Sequence, residues 1–186
     1  MATKTRHECI FGGIGGKGVL VSGKIVADAA MHQYPNIVWY PAYGSAMRGG
    51  TSECTVILSN DLIACPVMLQ AEVVLVIAPS ELKNFIARVK PGGLLIVEGT
   101  DPLPVKIERT DIKVLEVPGV KIATQLGDLR AANLVLVGAY IGATGAISPE
   151  IMEEDIVKKL GGSKQVQENN KKAFREGMKF AKEHLN

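Results

Sequence analysis

Seven residues near the amino end, Gly12-Gly13-Ile14-Gly15-Gly16-Lys17-Gly18, carry five glycines and one lysine. Glycine lets the backbone come close to an anion, N–H groups at a helix start point outward, and lysine adds a full charge. The loop follows a short apolar run, Cys9-Ile10-Phe11, and leads into a helix-compatible stretch, Val19 to Met31. Strand, glycine turn, helix is the order that aims backbone donors at a phosphate. A second cluster follows, Tyr43-Gly44-Ser45-Ala46-Met47-Arg48-Gly49-Gly50, then Thr51-Ser52. Its guanidinium suits phosphate or carboxylate through paired hydrogen bonds, its ring can stack or donate, and its hydroxyls can bind.

The pattern narrows the ligand. Gly13, Gly15 and Gly18 match G-x-G-x-x-G, but the stretch where a ribose-binding acid belongs, Val38-Trp39-Tyr40-Pro41-Ala42, has none, which disfavours a nicotinamide. A Walker loop fails as well: Gly18 stands where the magnesium-binding hydroxyl follows the lysine, and Phe11 where its first glycine would be. What remains is general anion chemistry, with a helix field of roughly 0.3–1 kcal/mol and charged hydrogen bonds of roughly 1.5–3 kcal/mol each. The competing reading is a tight turn beside a solvated lysine. The candidate ligand-binding residues are Gly13, Gly15, Gly16, Lys17, Gly18, Tyr43, Arg48, Gly49, Gly50 and Thr51.

No catalytic residue and no metal ligand is assigned. His7, His32 and His184 make no base–nucleophile pair. Gly127-Asp128 with Asn169-Asn170 has the look of a thiamine diphosphate motif, but Leu129 replaces its third glycine. Cys9, Cys54 and Cys65 contain no CxxC, lie in or beside apolar runs, and read as small core residues. Asp61, Asp101 and Asp111 read as turn acids.

The elements that must hold the glycine loops are legible in the hydrophobic pattern. Strands are expected over His7–Phe11, Ile37–Tyr40, Glu53–Leu58, Val73–Ala78, Leu94–Glu98 and Lys113–Val117. The runs Val73–Ile77 and Leu94–Val97 are continuously apolar and read as central strands, with Glu53–Leu58 nearer an edge. Helices are expected over Gly18–Gln33, Ser80–Val89, Val120–Gln125, Ala131–Ala143, Pro149–Leu160 and Ser163–Leu185. Ser80, Ser148 and Ser163 are the expected caps, and Gly161-Gly162 the stop. The last helix aligns Phe174, Met178, Ala181 and Leu185 on one stripe and is basic elsewhere. Alternating strands and helices predict an α/β fold: one domain over residues 1–186, an open, mostly parallel, Rossmann-like sheet flanked by helices. Ligands of such sheets sit beyond the carboxyl ends of the strands, where the first glycine loop falls.

Composition agrees. The 186 residues are 47% hydrophobic and 22% charged, with 5% aromatics, which implies an aliphatic core in an ordinary globular domain. A net charge of +2 gives no footprint for nucleic acid or an anionic membrane. Residues 1–8 are polar, and no apolar run approaches the ~20 residues of a membrane span, so a reducing cytoplasmic setting is expected.

Taken in order, these motifs have a family likeness. G-G-I-G-G-K-G-V at Gly12–Val19 with Ser22-Gly23 and Ala27, then Y-G-x-x-x-R-G-G-T at Tyr43–Thr51, resemble the gamma subunit of 2-oxoacid:ferredoxin oxidoreductases. Ile57-Leu58-Ser59 with Ile63 and Pro66, Gly127 with Ala132-Asn133 and Gly138-Ala139, and Ile147-Ser148-Pro149-Glu150 extend the resemblance over nearly the whole chain. The resemblance implies an accessory subunit of an enzyme that turns a 2-oxoacid and coenzyme A into acyl-CoA, CO₂ and reduced ferredoxin, 2-oxoglutarate being the favoured substrate. It also implies that thiamine diphosphate and iron–sulfur clusters lie on partner subunits, thiamine diphosphate-binding and ferredoxin-like chains, with ferredoxin reached through the complex. Coenzyme A would be held here by Gly15, Gly16, Lys17 and Gly18 with Arg48, Gly49 and Gly50. This chain has Ser45-Ala46 where many members have Pro-Glu, so an acid often set before the arginine is missing. A stand-alone coenzyme A- or nucleotide-binding module and a purely structural subunit are the other readings. Met47 and Val67-Met68-Leu69 are candidate subunit contacts.

Overall fold

A computed structural model of the chain describes residues 6–42 and 49–185. Tyr43 and Arg48, and Met47 with them, lie outside the described residues. Six strands form one sheet: β1 (Arg6–Ile14), β2 (Asn36–Ala42), β3 (Thr51–Ser59), β4 (Ala71–Val76), β5 (Val89–Glu98) and β6 (Lys113–Val117). Their order is β2-β3-β1-β4-β5-β6. β1, β4, β5 and β6 run parallel, while β3 pairs antiparallel with both β1 and β2. The first strand in sequence is thus central in space, and β3 lies one place in from the β2 edge.

Alternation along β1 sends Cys9 and Phe11 to one face and Ile10 to the other. The first face carries the main core. Against it pack α1 (Val19–Ala30), α3 (Gly119–Gln125), α4 (Ala132–Thr144), α5 (Pro149–Leu160) and α6 (Lys164–His184). Over the second face lie a short helix, α2 (Leu82–Phe85), and irregular segments contributing Met68, Leu103, Val105 and Ile107. The helix expected over Ser80–Val89 is broken into a 3₁₀ turn at Pro79–Glu81, α2, and a second 3₁₀ turn at Ile86–Arg88. Ser80 lies inside the first turn rather than capping it; the cap position is Ala78.

The other helix ends follow the sequence more closely. Ser163 accepts the Val166 N–H and caps α6, and Gly161 closes α5 with a positive φ of 58°. Ser148 occupies the cap position of α5, but its hydroxyl donates to Glu150 instead of accepting a backbone N–H. On α6, Phe174, Met178 and Ala181 are buried as expected, while Lys171, Arg175 and Lys179 pair with Glu168, Glu153 and Glu183. α4 and α6 approach so closely that a Cβ on Gly177 would lie 1.8 Å from the Val135 carbonyl oxygen. Cys9 and Cys54 are buried; Cys65 is exposed, contrary to its reading as a core residue, because the segment after β3 sends Met68 into the core and leaves Cys65 at the surface.

Candidate functional site

The glycine loop begins where β1 ends. Ile14 pairs with Thr51 as the last rung of the β1–β3 ladder. Two more backbone bonds carry the pairing into the loops: Gly15 N–H donates to Gly50 O at 2.9 Å, and Gly49 N–H to Gly15 O at 3.5 Å. The antiparallel direction of β3 is what makes this meeting possible. It returns the chain so that the start of β3 faces the end of β1, joining two clusters far apart in sequence.

The residues divide by task. Gly13 is buried within β1, where an added Cβ would lie 3.0 Å from Val19 and 3.2 Å from the Ala78 nitrogen; its place is in the packing. Gly15 and Gly50 join the loops. The Lys17 N–H closes a turn onto Ile14 O at 3.1 Å. Gly16 and Gly49 both hold left-handed backbone, φ 93° and 81°, and a Cβ on either would meet nothing within 4 Å among the described residues. They face open space. Gly18 is also left-handed, φ 83°, and supplies the first carbonyl of α1, accepting from the Ser22 N–H at 2.9 Å.

No side chain caps α1, and no acid lies in its first turn. Its positive end is therefore uncompensated from within the helix. Gly16 and Lys17 are exposed beside it. Among the described residues Lys17 makes no ion pair, leaving its ammonium available for an anionic ligand. The outward-facing part of the loop is thus Gly16 and Lys17, beside the first turn of α1.

Two residues that the sequence reading did not assign to the site border it. A Cβ on Gly18 would lie 2.7 Å from Nδ2 of Asn133, so the second residue of α4 sits directly against the start of α1. Its only sequence signal was its place beside Ala132 in the family-like segment. Glu81, from the turn after β4, accepts the Thr51 hydroxyl at 2.6 Å and the Asn84 amide at 2.9 Å. Nothing local in sequence connects Glu81 with Thr51.

The histidines are dispersed. His7 lies at the far end of β1 near Tyr34, His32 Nε2 is 3.9 Å from Asp155, and His184 bonds to Phe180 O. Among the described residues, no three of His, Cys, Asp and Glu gather into a metal site. Cys9 and Cys54 are buried, and burial pushes the Cys54 thiol up to about 12. No helix among the described residues is long and apolar enough to cross a membrane.

Comparison with known proteins gives this geometry its context. Ketoisovalerate oxidoreductase subunit VorA of Methanothermobacter thermautotrophicus is 31% identical over 175 residues, covering 93% of this chain and 36% of VorA. The chain thus spans about a third of the length of that relative. The 2-oxoglutarate synthase subunit KorC of Methanocaldococcus jannaschii is 29% identical over 186 residues, covering 97% of this chain and 96% of KorC. The fold is shared with 2-oxoglutarate:ferredoxin oxidoreductase of Magnetococcus marinus, solved with 2-oxoglutarate, coenzyme A and succinyl-CoA bound. The TM-score is 0.88 at 20% identity, over 97% of this chain and 32% of that one. The sequence profile described as pyruvate ferredoxin/flavodoxin oxidoreductase matches residues 8–180, and the chain belongs to that family.

Proposed function

We propose that this chain is the gamma subunit of a multisubunit 2-oxoacid:ferredoxin oxidoreductase, and that it helps to hold coenzyme A. The complex converts a 2-oxoacid and coenzyme A into acyl-CoA, CO₂ and reduced ferredoxin. The observation that carries the ligand role is the junction of the two glycine clusters through Gly15 and Gly50, with Gly16, Lys17 and Gly49 facing outward. Coenzyme A bears a pyrophosphate and a 3′-phosphate. A glycine turn at a helix start, the Lys17 ammonium and, by sequence, Arg48 are the groups that bind such charges.

Thiamine diphosphate and the clusters belong on companion thiamine diphosphate-binding and ferredoxin-like chains, in a cytoplasmic complex. KorC matches at full length, which supports a separate small subunit and 2-oxoglutarate as the substrate. VorA is equally similar and supports a branched-chain 2-oxoacid as the second reading.

In the assembled complex, Lys17→Ala should raise the KM for coenzyme A about three- to tenfold, the loss of one exposed charge-assisted contact. The KM for the 2-oxoacid should stay at the parental value, and Arg48→Ala should act in the same direction. Unaltered coenzyme A kinetics in both variants would remove this ligand from these loops. Titration of the isolated chain with coenzyme A separates the alternatives: tight binding without partners marks a self-sufficient module, weak binding an assembly part.

A further inference from the structure

The geometry points to Glu81 as a positioning residue of the same site, one that fixes the second glycine cluster through Thr51 without touching ligand. This inference rests on the reading of the loops as the coenzyme A contact. Thr51 is the first residue of β3 and directly follows Gly50, whose carbonyl takes the Gly15 N–H. A hydroxyl has one proton to give, and that of Thr51 is given to Glu81 Oε2 at 2.6 Å. The same oxygen takes the Asn84 amide at 2.9 Å, so the carboxylate is held from two sides. A bond from hydroxyl to carboxylate is short and strong for its kind.

The turn bearing Glu81 is itself anchored beneath the first loop. Phe85, on α2 four residues later, is buried under β1, where a Cβ on Gly12 would lie 2.5 Å from its ring. One short segment, Pro79–Phe85, therefore supports both clusters: Phe85 from below Gly12 and Glu81 from beside Thr51. Thr51, a ligand-contact candidate by sequence, becomes the part of this bracket that sets where Gly49 and Gly50 lie.

The test uses Glu81→Ala, Thr51→Val, their double variant and Thr51→Ser, each in the assembled complex. As a bracket, either single loss raises the KM for coenzyme A about fivefold with kcat unchanged, the double variant is no worse, and Thr51→Ser keeps the parental value. If Thr51 instead donates to ligand, Glu81→Ala frees its hydroxyl and leaves the KM at or below the parental value, which overturns the inference. A second measurement needs no ligand. Amide hydrogen exchange of residues 49–52 in the full chain should quicken in Glu81→Ala and Thr51→Val, and exchange at the parental rate would also refute the bracket. Faster exchange combined with a coenzyme A KM that Lys17→Ala does not move would uphold the bracket and reject the ligand assignment.

Discussion

Alanine at Gly18 would face two demands at once. Its backbone would have to hold φ 83°, and its methyl would lie 2.7 Å from Nδ2 of Asn133. The left-handed conformation costs a non-glycine residue roughly 1–2 kcal/mol. Asn133 is the tip of a side chain and can swing away, at roughly 0.5–1.5 kcal/mol for leaving its preferred rotamer. A stiffer unfolded chain returns about 0.4–1 kcal/mol. The net is a loss of about 1–2.5 kcal/mol, which for a domain of this size lowers Tm by about 2–10 °C. Urea unfolding at 25 °C, with the slope checked against the parent, measures it. Gly16→Ala is the matched control, because φ is 93° there and nothing lies within 4 Å of a Cβ, so it carries the backbone strain alone. Asn133→Ala placed in the Gly18→Ala background should restore the difference between the two. If Gly18→Ala and Gly16→Ala cost the same and Asn133→Ala restores nothing, α4 does not abut the start of α1 as described.

Other perturbations reach different parts of the molecule. Gly177→Ala should destabilise the fold by more than about 3 kcal/mol, because a backbone carbonyl 1.8 Å away cannot swing aside and α4 and α6 must separate; chemical unfolding reads this directly. A maleimide should label Cys65 in the native protein, and reach Cys9 and Cys54 only on unfolding, with labelling counted by mass; rapid native labelling of Cys54 would contradict its burial. Burial pulls the Glu8 carboxyl upward, but hydrogen bonds from Lys90 and Arg6 outweigh it and hold it below its ordinary value of 4.5. Its stabilising contribution is therefore complete above pH 4.5 and is lost as pH falls through the lower folded value. Lys90→Met should make stability fall less steeply with acid in that window.

The sequence carried most of the fold because most of it is written in local periods. Lys113–Val117 and Pro149–Leu160 were bounded correctly, since an apolar strand and a Ser-Pro start with a Gly-Gly stop are local signals. The 79–88 segment was misread as one helix because its buried residues, Leu82 and Phe85, are spaced like a helical stripe. What local pattern could not show was direction. Glu53–Leu58 reads as a strand either way, and only its pairing reveals that it runs against β1. That reversal unites the two glycine clusters, so the loops were legible while their junction was not. Asn133 and Glu81 stayed hidden for the same reason: each reaches the loops from a distant element.

The strand order also bears on how the molecule is made. β1 leaves the ribosome before both of its neighbours in the sheet, β3 ending at Ser59 and β4 at Val76. A nascent chain therefore carries an apolar segment with two open edges until β3 is made, and with one open edge until β4 follows. Such a segment invites pairing with other growing chains, and it ties completion of the sheet's centre to contacts between distant parts of the sequence.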